Sequence, residues 1–299
     1  MQYLKSFALA SESDELDFLF NSKLFDMSCY NQMTAYPFQI FPFKGLRRLE
    51  FAPVTIIYGG NGSGKSTLLN IIAEKLSIHR SAPFNYSHLM EHYLGFCSYE
   101  MYDGTSGPPR GSEIITSDGV FDFLLDLRAM NRGVDQKREE LFDEYRNTVK
   151  DCRENGYLMR SLDDYDELRR RNEARRATKT QYVSRRLGVT EIEGKSNGES
   201  AFGYFTHKIK ENALYLLDEP ENSLSAALQA RLADFLADSA RFYGCQFIIS
   251  THSPFLLAMK GARIYDLDAS PVAVRKWSEL ENVRAYFELF EARRGEFTS

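Results

Sequence analysis

Short apolar runs alternate with amphipathic segments along most of this chain. Residues 54–58 form a β-branched run that predicts a buried strand, and residues 67–76 follow it with the apolar spacing of a helix. Further strands are predicted at residues 113–116, 214–217 and 246–249. This alternation predicts an α/β fold with a mixed β core.

Two other regions, residues 1–58 and 120–186, differ in pattern from this strand and helix alternation. Residues 1–58 contain short β-like runs at 41–43 and 49–51, interrupted by prolines, which predict an N-terminal antiparallel β subdomain. Helical patterns at 120–130, at 135–154 and in a third segment ending near Ala177 predict an inserted helical lobe, or short helical hairpin, over residues 120–186. The core then comprises residues 1–119 and 187–299. Residues 103–112, rich in Gly and Pro, predict a loop that either moves on ligand binding or simply connects two elements.

The segment 59–66 fits the phosphate-binding pattern G-x-x-x-x-G-K-[ST], between a predicted strand and a predicted helix. Its glycines allow backbone N–H groups to surround phosphate oxygens, and the helix N-terminus adds a partial positive charge. We expect Lys65 to reach the β- and γ-phosphates of ATP and Ser66 to bind Mg²⁺. The predicted nucleotide contacts here are Gly59, Gly60, Asn61, Gly62, Ser63, Gly64, Lys65, Ser66 and Thr67.

Polar residues follow two of the other predicted strands. Asp218 and Glu219 end one apolar run, and His252 follows another. Phosphoryl transfer needs mainly positioning and charge neutralisation, so Asp218 is predicted to hold Mg²⁺ and Glu219 to act on the attacking water. His252 is a candidate contact for the γ-phosphate. The candidate catalytic set is therefore Glu219, His252 and Lys65. In isolation, solvated acids and a satisfied loop histidine would be the more common explanation of these residues.

A fourth segment, Ser196-Asn197-Gly198-Glu199, precedes a predicted helix over residues 200–210. The Ser196 hydroxyl, the Gly198 backbone and the helix N-terminus make an anion site, with Glu199 beside it. One γ-phosphate does not need two such sites, so this one is predicted to cap the nucleotide of a second subunit. The alternative is an ordinary polar helix cap.

Composition narrows the class of protein. The chain has 299 residues, a formal net charge of −5 and 43% hydrophobic residues, which fits one large domain or a domain with an insertion. Its four cysteines show no paired spacing, no apolar run has the length of a membrane span, and the N-terminus is too acidic for a signal peptide. These features predict a soluble, cytoplasmic protein without direct membrane insertion.

The one strongly basic stretch is the arginine cluster at residues 169–176. It either contacts nucleic acid or an acidic partner, or forms a solvated helix face paired with nearby acids. Because aromatic residues are sparse around it, we favour the solvated face.

Taken in their order along the chain, the four motif segments resemble those of ATP-binding-cassette ATPases. The resemblance is to the soluble RecF- and SMC-like branch, and in particular to small stand-alone bacterial ATPases described as AAA-family ATPases. It is carried by Tyr36-Pro37-Phe38 and by the segments 196–200, 216–221 and 246–254. It implies a homodimer that holds ATP and Mg²⁺ between its subunits, with Ser196 and Gly198 acting across the dimer and His252 as the switch histidine.

The chain also departs from that family's pattern. Lys195, Asn197 and Glu199 differ from the usual signature, and Ser225 replaces the aspartate of the loop after Asp218-Glu219. No Q-loop glutamine is evident, and residues 113–118 are the expected equivalent. An adenine contact is expected at Phe43 or Lys44.

Three functions are compatible with these motifs. The favoured one is an ATPase whose ATP-driven dimerisation switches a separate effector, with a nuclease or a toxin as candidates, in nucleic-acid surveillance or phage defence. The alternatives are an ATPase subunit of a membrane transporter and a binding module with negligible turnover.

Overall fold

The computed structural model describes residues 2–21, 35–102, 104–154, 169, 171, 173–174, 176–187 and 196–297. The chain divides into two compact units. One comprises Met1–Phe121 with Asn197–Ser299, and the other comprises Asp122–Ser196.

A seven-stranded sheet forms the centre of the first unit. Five of its six pairs of neighbouring strands are parallel, and the strand at one edge runs antiparallel to its neighbour. The strands are β3 (Val54–Tyr58), β4 (His79–Arg80), β6 (Glu113–Thr116), β7 (Leu214–Asp218), β8 (Gln246–Ser250), β9 (Arg263–Asp266) and β10 (Ala273–Arg275). Their spatial order is β10-β9-β3-β8-β7-β6-β4. This parallel-rich α/β sheet confirms the fold class predicted from the sequence.

The central strands are the most apolar part of the chain. Every residue of β3 and β8 is buried, as expected for strands covered on both faces of a parallel sheet.

The described helices are α1 (Glu12–Asn21), α2 (Lys65–Lys75), α3 (Met90–Phe96), α4 (Ser117–Glu154), α5 (Lys179–Leu187), α6 (Asn197–Lys208), α7 (Ala226–Phe242), α8 (Pro254–Leu257) and α9 (Glu281–Ala292). Among the residues that the structure describes, no helix combines the length and the hydropathy needed to cross a membrane.

The N-terminal antiparallel sheet differs in its membership from the prediction. It has the order β2-β1-β5 and consists of β1 (Leu4–Ala8), β2 (Arg48–Glu50) and β5 (Ser98–Met101). The predicted strand at 41–43 is wrong, since Pro42–Lys44 forms a 3₁₀ turn. Proline has no N–H to donate to a strand ladder and its fixed φ suits the first position of a helical turn.

The inserted helical segment also needs one correction. Separate helices were predicted at 120–130 and 135–154, but Ser117–Glu154 is a single helix. Gly133 lies between the two predicted helices, and one glycine costs a helix only about 1 kcal/mol. Without a proline there, nothing stops the helix.

Within the second unit, apolar side chains form a small core of their own. Ala174, Tyr182 and Val183 are buried, and Leu141, Tyr145 and Val149, the predicted apolar face, pack against them with Phe142 and Ala177. The predicted face nearer the start of the helix is mostly exposed: Phe121, Leu125 and Met130 are exposed and only Leu124 is buried.

Candidate active site

The candidate residues lie at the carboxyl ends of three adjacent parallel strands. In the sheet, Ile57 of β3 and Asp218 of β7 both pair with Ser250 of β8. The loops that leave these strands carry the phosphate-binding pattern, Glu219 and His252. Parallel α/β sheets place ligands at this edge, and the structure brings the three segments together there.

Two glycines of the phosphate-binding loop have steric reasons to be glycine. Gly64 has a φ of 98°, a conformation that L-residues rarely adopt, directly before α2. A side chain on Gly59 would place its Cβ 2.5 Å from the Ser63 hydroxyl. The Ser63 oxygen is itself buried and has no hydrogen-bond partner among the described residues, so the loop retains polar capacity for a phosphate oxygen.

Lys65 is buried beneath this loop, with only 5% of its surface exposed. Its ammonium donates hydrogen bonds to the carbonyl oxygens of Gly59 (2.7 Å) and Gly60 (3.1 Å). Its Nζ also lies 3.4 Å from Oε1 of Glu219. One cation therefore joins the phosphate-binding loop to the acid at the end of β7. The loop is held from its other side by Asp268, whose Oδ2 accepts the Gly60 N–H at 2.7 Å.

Ser66 and Asp218 form the candidate metal pair. The Ser66 hydroxyl donates to Oδ1 of Asp218 at 3.1 Å, and the Ser250 hydroxyl donates to the same oxygen. Burial raises the pKa of Asp218, and the hydrogen bonds from Ser250 and Ser66 oppose this rise. In the described part of the chain, no three His, Cys, Asp or Glu side chains cluster as a metal site. One carboxylate and one hydroxyl fit Mg²⁺, which is usually bound by few protein oxygens together with substrate phosphates.

Glu219 is held in a strained backbone conformation, with φ and ψ of 48° and 54°. Its N–H donates to the Ser250 carbonyl at 3.0 Å, and Asn222 donates to its Oε2 at 3.0 Å. Burial acts to raise the pKa of Glu219, but the hydrogen bond from Asn222 and the charges of Lys65 and His252 outweigh it and lower the pKa. The carboxylate form is therefore favoured, and it is suited to accept a hydrogen bond from water.

His252 lies beside two acids. Its Nδ1 is 4.0 Å from Oε1 of Glu219 and 3.6 Å from Oε1 of Glu221. The imidazole remains 46% exposed, so it can contact a ligand at the sheet edge. Glu221 was not singled out in the sequence, although it belongs to the segment that carries the resemblance.

A pocket of about 440 Å³ opens beside the candidate metal pair. Thr116, Ser117 and Asp118, the expected Q-loop equivalent, line it together with Ser66 and Asp218. Tyr36, which belongs to the segment that carries the resemblance, also lines the pocket. The motifs did not identify several other lining residues, because these belong to none of the motif segments; they are Asn70, Arg80, Pro83, Phe84 and Asn85.

The signature segment begins its helix earlier than predicted. Helix α6 is Asn197–Lys208, not 200–210, so Gly198 and Glu199 lie in its first turn and Ser196 immediately precedes it. A polar Ser-Asn-Gly run can provide the cap and the first turn, and this favours the earlier start. A Cβ on Gly198 would lie 2.8 Å from Cδ1 of Leu228 and 3.6 Å from the Ser223 carbonyl, so this glycine packs against the segment that follows β7.

The two candidate adenine contacts differ in their surroundings. Phe43 is 72% exposed. Lys44 donates a hydrogen bond from Nζ to the Leu267 carbonyl at 2.8 Å. Only Phe43 presents a largely uncovered side chain.

Two of the three described arginines of the basic cluster pair with acids of their own unit. Arg169 lies 3.3 Å from Glu173, and Arg171 pairs with Asp151. Arg170 and Arg175, like the acids at positions 163, 166 and 167, lie outside the described residues. The Arg169 side chain is 67% exposed, as the solvated-face interpretation expects, whereas the Arg171 side chain is only 13% exposed.

Comparison with known families agrees with this geometry. Residues 110–258 match the family model described as "AAA domain, putative AbiEii toxin, Type IV TA system". The matched range contains the signature segment, Asp218-Glu219 and His252. Over this range the chain is similar to that AAA-domain family.

Solved structures of ABC and SMC proteins also align with the chain. An SMC head domain from Pyrococcus furiosus, bound to the C-terminal domain of ScpA, is 16% identical with a TM-score of 0.44, covering 98% of this chain and 100% of that one. The SMC head domain from Thermotoga maritima is 16% identical with a TM-score of 0.38, covering 92% and 99%. A structure described as "a putative metal-chelate type ABC transporter" is 19% identical with a TM-score of 0.38, covering 81% and 82%. No curated protein matches the chain significantly.

Proposed function

We propose that this protein binds ATP with Mg²⁺ at the carboxyl edge of its sheet and hydrolyses it. The observation that carries the proposal is the contact of Lys65 and Ser66, from the phosphate-binding loop, with Glu219 and Asp218 at the end of β7. Lys65 binds the terminal phosphates, and its buried position keeps its charge close to them. Ser66 and Asp218 hold the metal ion. When bound, Mg²⁺ neutralises charge on the transferring phosphoryl group.

Glu219 orients the attacking water and accepts its proton. Its ionised form is favoured by Asn222, Lys65 and His252, and its backbone is fixed by the bond to Ser250. His252 contacts the terminal phosphate from the neighbouring loop. Asp118 and the residues before it line the same pocket, where they take the place of the absent Q-loop glutamine.

The active form is a dimer with ATP between its subunits. The start of α6, with Ser196, Gly198 and Glu199, carries helix-terminal N–H groups suited to an anion. A Cβ on Gly198 would meet Leu228 and the Ser223 carbonyl, so the start of α6 lies against the loop and helix after β7. A second subunit supplies the phosphate that this helix terminus binds.

The ATP cycle acts on a separate effector protein in the cytoplasm. The family description names a toxin of a toxin–antitoxin system, which fits a role in phage defence with a toxin or nuclease as the effector. Nucleic-acid contact through the arginine cluster is the less favoured role, because Arg169 and Arg171 pair with acids.

Steady-state phosphate release tests the catalytic part of this proposal. We expect wild type to release phosphate from MgATP and Lys65→Ala to be inactive, because it loses the buried cation. Lys5→Ala is the matched control, since Lys5 is an exposed lysine paired with Glu100 in the other sheet. Wild-type release no faster than that of Lys65→Ala, with ATP still bound, would show a binding module instead of an enzyme.

A further inference from the structure

Glu221 is a buried carboxylate with an unusual set of partners. It follows Asp218-Glu219-Pro220, and its side chain is only 4% exposed. One oxygen, Oε1, accepts three hydrogen bonds from consecutive residues after β8. The donors are the Thr251 hydroxyl (2.6 Å), the His252 N–H (2.9 Å) and the Ser253 N–H (3.2 Å).

This arrangement needs a reason beyond packing. Burying a carboxylate is costly unless donors replace its water, and here a hydroxyl and two backbone N–H groups do so. Its second oxygen, Oε2, is buried and has no hydrogen-bond partner in the described part of the chain. An apolar side chain would fill this space without that cost. What an apolar side chain cannot provide is the acceptor that tethers the loop after β7 to the loop after β8.

A second tether joins the same two loops. The Ser253 hydroxyl donates to Oε1 of Gln229 at 2.8 Å, and Gln229 donates from Nε2 to the Leu224 carbonyl at 3.0 Å. Beyond these loops, Asn282 donates to the His252 carbonyl at 2.7 Å. The backbone of His252 is thus held on both sides, whereas its imidazole is 46% exposed.

We propose that Glu221 is a positioning residue that fixes His252 beside Glu219. Its Oε1 holds the His252 backbone and lies 3.6 Å from Nδ1 of the same residue, on the side of the ring that also faces Glu219. The inference rests on the proposed function in one respect, namely that His252 contacts the terminal phosphate. Glu221 touches no reacting atom and acts through His252.

Two substitutions at this position separate tethering from packing. Glu221→Gln keeps an acceptor oxygen and nearly the same shape, whereas Glu221→Ala removes the acceptor. We expect kcat for ATP to fall roughly 10- to 100-fold in Glu221→Ala, the range typical of residues that orient a functional histidine. Glu221→Gln should keep most of the wild-type kcat, and KM should change little in both variants.

A double-mutant cycle with His252→Ala identifies the route of the effect. If Glu221 acts through His252, Glu221→Ala should cause no further loss in the His252→Ala background. An equal loss in both backgrounds would overturn the proposal.

Gln246→Ala is the matched control, because Gln246 is a buried polar tether at the opposite end of β8, bonded to Leu4 and Ala52. It should lower Tm and leave kcat unchanged.

Amide hydrogen exchange tests the tether without ATP turnover. The His252 N–H, which donates to Oε1 of Glu221, should exchange slowly in wild type and Glu221→Gln, and much faster in Glu221→Ala. The Ser253 N–H also donates to the Thr251 hydroxyl oxygen at 3.0 Å, so its protection should change less. Unchanged protection in Glu221→Ala would refute the tether even in an active enzyme. An inactive wild type whose amides lose protection in Glu221→Ala would refute the proposed function and retain the tether.

Discussion

At the residue scale, the Ser250 hydroxyl orients the candidate metal ligand Asp218, and Glu221 holds the backbone of His252. Both contacts join distant segments, and that of Ser250 depends on the pairing of β7 with β8. Both residues lie within motif segments, but these partners have no local signal in the sequence. The phosphate-binding loop differs, because its glycines and Lys65 lie within a few positions of one another and a single sequence reveals it.

Ser250 gives a first residue-scale prediction. Because its hydroxyl donates to the candidate metal ligand Asp218, Ser250→Ala should weaken Mg²⁺ affinity roughly 10- to 100-fold, as loss of an orienting hydrogen bond typically does. Mg²⁺ titration of fluorescent ATP-analogue binding measures this. Ser112→Ala is the control, since Ser112 is a buried serine bonded to the start of β7 at Leu214. Equal Mg²⁺ dependence in wild type and Ser250→Ala would refute the assignment of the metal pair.

A second residue-scale prediction concerns pH. Burial raises the pKa of Glu15 from 4.5 to about 7, opposed by the hydrogen bond from the Gln39 N–H. A carboxyl whose pKa is raised on folding contributes stability below about pH 4.5, and this contribution is lost as pH rises to about 7. Wild type should therefore lose roughly 1–3 kcal/mol of unfolding free energy over this window that Glu15→Gln does not lose.

Urea denaturation at a series of pH values measures that difference. Asp17→Asn is the control, because Asp17 is exposed on the same helix. Parallel stability curves for wild type and Glu15→Gln between pH 4.5 and 7 would contradict the raised pKa of Glu15.

At the scale of elements, apolar runs and periodicity located the central strands, but boundaries and continuity were less predictable. Strands β3, β7 and β8 were correct because they are short, apolar and bounded by polar residues. The helix Ser117–Glu154 was divided in two because Gly133 weakens the local pattern. A cost of about 1 kcal/mol at one glycine is small beside the hydrogen bonds of a long helix.

The small core of the second unit gives a prediction at this scale. Tyr182 is 2% exposed, lies 5.3 Å from the Tyr145 ring and donates to Glu144 at 3.1 Å. Tyr182→Ala should destabilise this unit by about 3–5 kcal/mol, the usual range for removing a large buried aromatic side chain. Arg146→Ala, at an exposed ion pair with Asp143, should change stability by less than about 0.5 kcal/mol.

Hydrogen exchange resolved by region measures this effect. Faster exchange should be confined to residues 122–187 in Tyr182→Ala. Unchanged exchange there would show that this core does not hold the unit together, and uniform acceleration over the whole chain would show that it is not a separate unit.

For the whole molecule, the sequence indicated the fold class but not the order of strands. Alternating strands and helices predict a largely parallel sheet, whereas the order β10-β9-β3-β8-β7-β6-β4 depends on crossovers that have no local signal. The same limit applies to the antiparallel sheet, whose third strand, Ser98–Met101, comes from beyond the phosphate-binding loop. The site could be predicted because ligands of such sheets bind at the strands' carboxyl ends, whatever the order.

The central claim is that ATP joins two subunits through the start of α6. Glu219→Gln keeps the shape of the site while removing the proton acceptor, so it should accumulate the ATP-bound state. Light scattering measures the particle mass of this variant in saturating MgATP, with MgADP as the reference, and so tests the claim most directly. We expect twice the monomer mass with MgATP and the monomer mass with MgADP. A strictly monomeric Glu219→Gln that has bound MgATP would contradict it.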